Sequence, residues 1–514
     1  LSGKIVAEFY STSSTGVLEV VENLSADSDV RVKFGKIANV KDGAVIAAFA
    51  DGTMSGSKDY VQLAEEHRDD CRLEYTTTEQ DAGTIVLKKG KFESDVAAVV
   101  GTDTYTSLQA AIDAAAAAST ADNPVTVEIV SLGDVMLDET INIPESANII
   151  ITDDGSPHTF KRSAGNAGAL FTVGAGAKLT FTSTASDEKE MKLIIDGNKN
   201  AVTYTSGATS IVDLGAGNCE LTINRGVQFR GNRSYANGGV ITTAADKPAV
   251  ITILGGRFAD NETVTEKGAI SGGVMYIANG STAVIRDAEF NSNILSGEYT
   301  LNGGVLYVDK TGKVEIDHCT FKGNRINYVG KGTGNIAFGG VMTISTTAKD
   351  NAVVKNSTFT ENGITAISGN GFGGAFSVGG GCHLTMSNCE FSENYLDTAG
   401  TIYGGKDVRT AGNTVIHLSG KINGEFFNTG AAYTLDITDS LTEGSAVTMK
   451  WNSVNSVEGK TVVTFAKGIM DNSKNYISLD ESLRGSYFLD FSDDKAILLK
   501  KKSLVSLLDW RRFL

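Results

Sequence analysis

A two-part motif recurs six times in the second half of this 514-residue chain, a Phe-x-x-Asn box alternating with a Gly-Gly-aliphatic box. The Phe boxes are Phe229–Asn232, Phe258–Asn261, Phe290–Asn293, Phe321–Asn324, Phe359–Asn362 and Phe391–Asn394, and the Gly pairs that follow begin at Gly238, Gly272, Gly303, Gly339, Gly373 and Gly404. Successive Phe are 29, 32, 31, 38 and 32 residues apart. A unit of that length cannot bury a hydrophobic face alone, so it must stack on its neighbours. From the second Gly to the next Phe the distance stays at 17 to 19 residues, whereas from the Asn to the next Gly it varies from 6 to 15. The first half of each repeat therefore reads as scaffold, and the second reads as a loop on which recognition would fall.

Within the constant half the period is two. Apolar residues stand five before each Phe (Ile253, Ile285, Ile316, Val354, Met386) and seven before it (Ile251, Ala283, Val314, Ala352, Leu384). Such alternation predicts short strands. Two before each Phe the residue is slim (Val227, Gly256, Ala288, Cys319, Ser357, Cys389), and three before it Asp287, His318, Asn356 or Asn388 suits a sharp corner. The 58 Gly and only 4 Pro argue in the same direction, because stacked parallel strands use nearly every backbone N–H and exclude Pro. The expected fold class is all-β: a right-handed parallel β-helix (solenoid) with an N-terminal capping helix, a separate β-rich N-terminal domain and a β-rich C-terminal cap.

The expected boundaries are 1–100 for the N-terminal domain, 101–124 for the capping helix and linker, 125–427 for the solenoid, 428–502 for the cap and 503–514 for a tail. Tyr105–Ala118 is Ala-rich with an apolar stripe at Leu108, Ala111, Ile112 and Ala115, the clearest helix in the chain. Before the perfect repeats, Ala167–Phe171 reads as a degenerate Gly box and Ile195–Asn198 as a Phe box with Ile substituted. The last Gly pair is followed by Lys406 where the pattern demands an aliphatic residue, so the regular stack is expected to fail there. The tail, with Leu504, Leu507, Leu508 and Trp510, reads as a short amphipathic helix, native or foreign to the protein.

A net charge of −16 argues against nucleic acid or an anionic membrane surface as a partner. No run of eighteen apolar residues predicts a membrane-spanning helix. A start at Leu1 reads as a mature form or an excised fragment. The five cysteines form no Cys-x-x-Cys pair and no ligand spacing with His, so neither metal nor cofactor is expected, and pairing of Cys319 with Cys389 is disfavoured by the coil between them. Among acids, Asp153 and Asp154 with His158 form the best local cluster, but in a Gly/Pro turn the simpler reading is a solvated turn. His318, His383 and His417 read as structural, the Asn row as an internal hydrogen-bonded ladder and the Phe row as a buried stack. No catalytic residue is assigned.

The alternating boxes, seen in GGVM with FNSN, GGVL with FKGN and GGAF with FSEN, resemble the repeats of the polymorphic outer membrane proteins of chlamydiae over about residues 195–405. They are also similar to repeats of large surface proteins of other bacteria. The resemblance implies a surface-displayed or secreted, non-enzymatic adhesin that contacts host protein or glycan, alone or as part of a larger surface protein. No outer-membrane barrel follows the repeats, and residues 1–100 match nothing in that pattern. The longest variable segments are Arg325–Phe338, Glu262–Ser271 and Ile294–Asn302. On them Arg325, Tyr328, Lys331 and Tyr299 are the expected contact residues, as exposed cations and aromatics. The alternatives are a β-helical polysaccharide lyase or glycoside hydrolase, and a structural stalk.

Overall fold

The structure is a computed structural model, which describes residues 1–502 except 12–16, 26, 42, 65–66, 68–70, 78–81, 90–95, 132, 188, 208, 331–335, 368–369, 399–403, 431–432 and 492–494. It is mostly β, with large parallel sheets, and divides into two compact units, Leu1–Val96 and Ala97–Leu514. The tail 503–514 lies outside the described residues.

The first unit holds a parallel sheet of Val6–Ser11, Asp29–Phe34 and Val61–Leu63. A second sheet pairs Leu18–Val20 in parallel with Ala44–Phe49, and that strand antiparallel with Gly83–Lys89. Val20, Val30, Val32, Phe34, Ile46, Phe49, Ile85 and Leu87 form its core.

The second unit opens with helix α1, Leu108–Ala118, whose N-cap Ser107 accepts a hydrogen bond from the Ala110 N–H. Its buried face is Leu108, Ala111, Ile112 and Ala115, the stripe read from sequence, and it packs into the same core as the strands Val125–Ile129 and Ile141–Ile143. From there the chain repeats one operation. Each strand pairs in parallel with the strand one repeat later, so equivalent residues stand directly over one another: Phe229, Phe258, Phe290, Phe321, Phe359 and Phe391 form one row. Ile195 pairs with Phe229, so the box with Ile substituted occupies its expected place.

Left-handed corners set this geometry. Asp287, His318, Asn356 and Asn388, three residues before Phe, have φ between 48° and 53°. A second corner lies two residues after Phe, at Gly231, Asp260, Ser292, Gly323, Glu361 and Glu393, with φ between 56° and 65°. The third is the first Gly of the first five pairs, as at Gly303 with φ of 66°, but not Gly404. Asn, Asp and Gly tolerate this region cheaply, whereas Glu361 and Glu393 accept it at a cost of about 1 kcal/mol, which is why the second corner was hard to read. The second Gly answers a different demand: a Cβ on Gly304 would lie against the carbonyl oxygen of Gly340 in the next repeat.

Inside, two ladders run along the stack. The Phe rings lie nearly parallel, with centroids 4.7 to 5.3 Å apart from Phe229 to Phe391. The Asn amides are joined head to tail: Asn261 Nδ2 donates to Asn293 Oδ1 at 2.9 Å, Asn293 to Asn324 at 2.9 Å, Asn324 to Asn362 at 3.0 Å and Asn362 to Asn394 at 3.1 Å. Each Nδ2 also donates to a Phe carbonyl of the preceding repeat, such as Phe258 O for Asn293. All donors point the same way, leaving an acceptor at one end and a donor at the other. At the first end Asn261 Oδ1 accepts the Asn232 backbone N–H, while the Asn232 amide stands outside the chain of amides: its Nδ2 donates to the Thr209 and Gly239 carbonyls and its Oδ1 accepts from buried Arg162. At the last end buried Asp407 accepts from Asn394 Nδ2, so an acid faces the N–H end of the ladder and a backbone N–H, with Arg162 one residue beyond it, the oxygen end.

Lys406 does not end the stacking. Thr414–Asn428 pairs in parallel with His383–Ser392 before it and with Tyr433–Leu441 and Ala446–Trp451 after it. Parallel pairing continues to Ile477–Leu479, and only Ala496–Lys501 turns antiparallel, against Thr461–Phe465 and Tyr487–Asp490. The inward residues Ile416, Leu418, Ile422 and Phe426 carry the core onward without a Phe-x-x-Asn box, so the motif ended before the architecture did.

Two outcomes follow for stability. Gly304→Ala forces backbone apart at a packed corner, and a loss of more than about 3 kcal/mol is expected from urea denaturation. Asn324→Ala strips the acceptor from Asn293 in the buried ladder, with an expected loss of about 3 kcal/mol and no change in far-ultraviolet circular dichroism at low denaturant.

Candidate functional site

The variable half of each repeat is not a loop. Immediately after each box Asn a strand begins: Arg233–Ser234, Glu262–Thr265, Ile294–Gly297, Arg325–Tyr328, Gly363–Ala366 and Tyr395–Thr398. These six form a parallel sheet of their own, and four shorter strands, Ile270–Ser271, Leu301–Asn302, Ile336–Phe338 and Asn370–Phe372, form another. Between the two sheets sits a small separate core of Ile270, Leu295, Leu301, Ile326, Tyr328, Ala337, Ile364 and Ala366. Much of the length variation lies in the connection between the first and second strands of this half, three residues from Gly297 to Leu301 and seven from Tyr328 to Ile336, while the shortest repeat, after Arg233–Ser234, has no second strand.

Strand alternation sorts the expected contact residues. Arg325 begins its strand facing outward and is exposed, so Ile326 and Tyr328 face the small core. Tyr328 is fully buried, which corrects the expectation that it contacts a ligand: it belongs to the small core. Tyr299 is 37% exposed but lies in the turn after Ile294–Gly297, a strand length away from the Arg325 row, so the fold does not bring the two together. Lys331 lies outside the described residues.

The register gives Arg325 different neighbours. The residues that follow each box Asn stack into one outward row: Arg233, Glu262, Ile294, Arg325, Gly363 and Tyr395. Arg233 is paired with Glu262 at 2.8 Å. Arg325 has no counterpart: among described arginine side chains it alone has neither ion pair, hydrogen bond nor ring contact, whereas Arg230, Arg257 and Arg286 each meet a carboxylate of an adjacent repeat. Beside it Gly363 leaves the sheet bare, and the Tyr395 ring covers that gap. A Cβ on Gly363 would lie 2.6 Å from Cε2 and 2.7 Å from Cδ1, atoms on opposite sides of the ring, so the ring lies face-on over the glycine. Two residues along the strands, Asn327, Thr365 and Asp397 form a parallel polar row. Tyr395 was missed because no loop motif marks it; its signal is its place directly after Asn394 in the repeat.

Two further aromatic pairs, on different sheets, flank the Gly-pair corners and are self-contained. Tyr276 and Tyr307 stack at 5.5 Å, and Phe338 and Phe372 at 5.5 Å, with the Arg409 guanidinium 4.7 Å from the Phe372 centroid. Tyr276 Oη donates to Asp309 Oδ2, and Ser345 Oγ donates to Tyr307 Oη. Burial first, and the Asp309 charge after it, hold the Tyr276 hydroxyl well above the usual range. Burial lowers Arg409 to about 10. With faces stacked and hydroxyls partnered, these pairs support the scaffold.

The acidic candidates are likewise occupied. His158 Nε2 meets Asp154 Oδ1 at 2.8 Å and its Nδ1 meets the Ser131 carbonyl at 3.0 Å. Asp153 is buried and accepts from the Gly155 and Thr184 N–H groups and the Thr184 hydroxyl. Burial raises its pKa, but hydrogen bonds from Ser183, Thr184 and Gly155 outweigh that and hold it below the ordinary value. His318 is a corner residue, and His417 is bound to Asp436 at 2.9 Å. The five cysteines are free and buried, with burial pushing the Cys319 and Cys389 thiols up to about 12. Among the described residues no group of three or more His, Cys, Asp or Glu is arranged to hold a metal ion, and no helix is long and apolar enough to cross a membrane.

The chain matches no family model, no curated protein and no solved structure. Its surface therefore has to be read from its own geometry.

The Asp153 latch gives a pH signature. A carboxyl held below its unfolded value contributes stability that is fully present above that value, 3.8, and is lost as pH falls through the lower folded value. Asp153→Asn is expected to lower the urea midpoint at pH 7, and its difference from the parent protein is expected to shrink below pH 3.8.

Proposed function

We propose that the parallel ladders from Val125 onward wind as a right-handed parallel β-helix, and that this helix is a display platform in a non-enzymatic, surface-located or secreted bacterial binding protein. Right-handedness follows the rule for connections between parallel strands of one sheet. Adhesin repeats of the chlamydial polymorphic outer membrane protein type are the proposed relationship, resting on the alternating boxes. Host protein or glycan is the proposed class of partner.

One observation carries the reading: the outward row after the box Asn ends in an exposed Arg325 with no partner among the described residues, and in a half-buried Tyr395 lying face-on over Gly363. Scaffold rows in this protein pair their charges between repeats, and this one stops doing so. Arginine and tyrosine are residue types over-represented at binding hot spots. The His and Asp groups that resemble catalytic pairs are engaged with one another or with the backbone, which favours binding over hydrolysis or lyase chemistry.

The test is a double variant, Arg325→Glu with Tyr395→Ala, on the whole chain. Binding to host cells or immobilised host glycans is expected to weaken at least tenfold while the thermal midpoint stays within a few degrees. Unchanged binding would assign recognition to another part of the chain and leave these repeats as a stalk, and measurable cleavage of a polysaccharide panel would replace the binding reading with an enzymatic one.

A further inference from the structure

The chemistry of the Arg325 face narrows the ligand. We infer that it holds a carboxylate-bearing pyranose, a uronic or sialic acid residue of a glycan, with the sugar ring on Tyr395 and its carboxylate on Arg325; this rests on the binding reading above.

Three features of the face select that chemistry. First, Tyr395 lies flat over Gly363, so one face of its ring is turned to the sheet and the opposite face outward. An outward ring face suits the C–H face of a pyranose, whereas a tyrosine standing edge-on, as in the Tyr276–Tyr307 stack, offers only its rim. Second, Gly363 removes the side chain that would otherwise separate Tyr395 from Arg325. With its ring over Gly363, Tyr395 presents that ring one strand from Arg325, roughly 5 Å at the spacing of neighbouring strands, so a sugar on the ring lies within reach of the long Arg side chain. Third, Arg325 is a single guanidinium with no carboxylate partner among the described residues, in a chain of net charge −16. It demands one anionic group in a planar, two-oxygen form, which a carboxylate supplies.

The adjacent row refines the fit. Asn327 and Thr365 offer donors and acceptors for sugar hydroxyls. Asp397, beyond them on the Tyr395 strand, is exposed and accepts hydroxyl protons but repels a second anion. One carboxylate per sugar, placed on the Arg325 side, satisfies the face, and densely charged chains such as polysulfates do not. Ile294 on the other side of Arg325 supplies an apolar border.

The experiment uses the whole chain and calorimetric titration with sialyllactose, a glucuronic acid oligosaccharide, the carboxyl-reduced counterpart of each, and a Glu-rich peptide. At least one acidic sugar is expected to bind, with carboxyl reduction weakening it at least tenfold. Arg325→Gln is expected to remove that difference, so that acidic and reduced forms bind alike. Tyr395→Ala is expected to weaken both forms, and Tyr395→Phe to retain binding, since the ring face and not the hydroxyl makes the contact. Equal affinity for acidic and reduced sugars in the parent protein overturns the carboxylate assignment, as does binding of the peptide alone; if Arg325→Gln still weakens those ligands, the face stands and only its ligand class is wrong. No response to any probe at millimolar concentration overturns the inference outright, and the cell-binding test of the double variant then decides the face independently.

Discussion

The unidirectional asparagine ladder is the interaction on which the rest of this structure depends. Backbone pairing alone would permit a strand to slip by two residues and keep its alternation. The buried amides do not, because each must receive one neighbour's Nδ2 and give its own to the next. A slip at any repeat leaves a donor and an acceptor stranded in the core, at about 1–3 kcal/mol each. The Phe stack beside the ladder adds about 0.5–1.5 kcal/mol per ring pair, so register is fixed twice, by hydrogen bonding and by packing. The Gly pair permits this: at the second Gly the backbone of adjacent repeats approaches more closely than any side chain allows.

A polar ladder with all its dipoles aligned needs its ends closed. Asp407 closes the N–H end directly, and the Asn232 backbone N–H closes the oxygen end, with the Asn232 amide oxygen held in turn by Arg162. Burial raises the Asp407 pKa, opposed by hydrogen bonds from the Glu425 N–H and Asn394, so its charge is held at some expense. Among the described residues Arg162 has no ion pair: its guanidinium donates to the carbonyls of Asn166, Gly168, Thr209 and Ser210 as well as to Asn232. Neither charge is visible as a motif, and each becomes intelligible only from its place at or just beyond an end of the asparagine row.

The scaffold was largely legible in the sequence because it repeats. The helical stripe at Leu108 to Ala115, the corner at Asp287 and its equivalents, the Asn ladder, the Phe row and even Ile195 standing in for Phe could all be read from spacing. The limits were those of spacing too. Variable length reads as a loop, although each variable half opens with a strand and Arg325–Tyr328 is as regular a strand as its neighbours. That error placed Tyr328 on the surface when alternation from Arg325 sends it inward. The same alternation, begun at the box Asn, would have paired Arg325 with Tyr395, 70 residues later in sequence and two strands away in space. The continuation beyond Lys406 was hidden because its apolar residues carry no box.

Everything proposed for the Arg325 face depends on the register of the variable-half sheet, and disulfide trapping measures that register directly. Ser296 and Asn327 are direct partners on its outward side, whereas Ser296 and Arg325 are offset by two residues. Direct parallel partners lie roughly 5 Å apart, within the range a disulfide spans, and offset ones roughly 8 Å apart, beyond it. With Ser296→Cys and Asn327→Cys together, mild oxidation is expected to form the bond rapidly in the folded chain, and with Ser296→Cys and Arg325→Cys it is not. Efficient closure of the offset pair with little of the direct one would contradict the register, and with it the face built on Arg325, Gly363 and Tyr395.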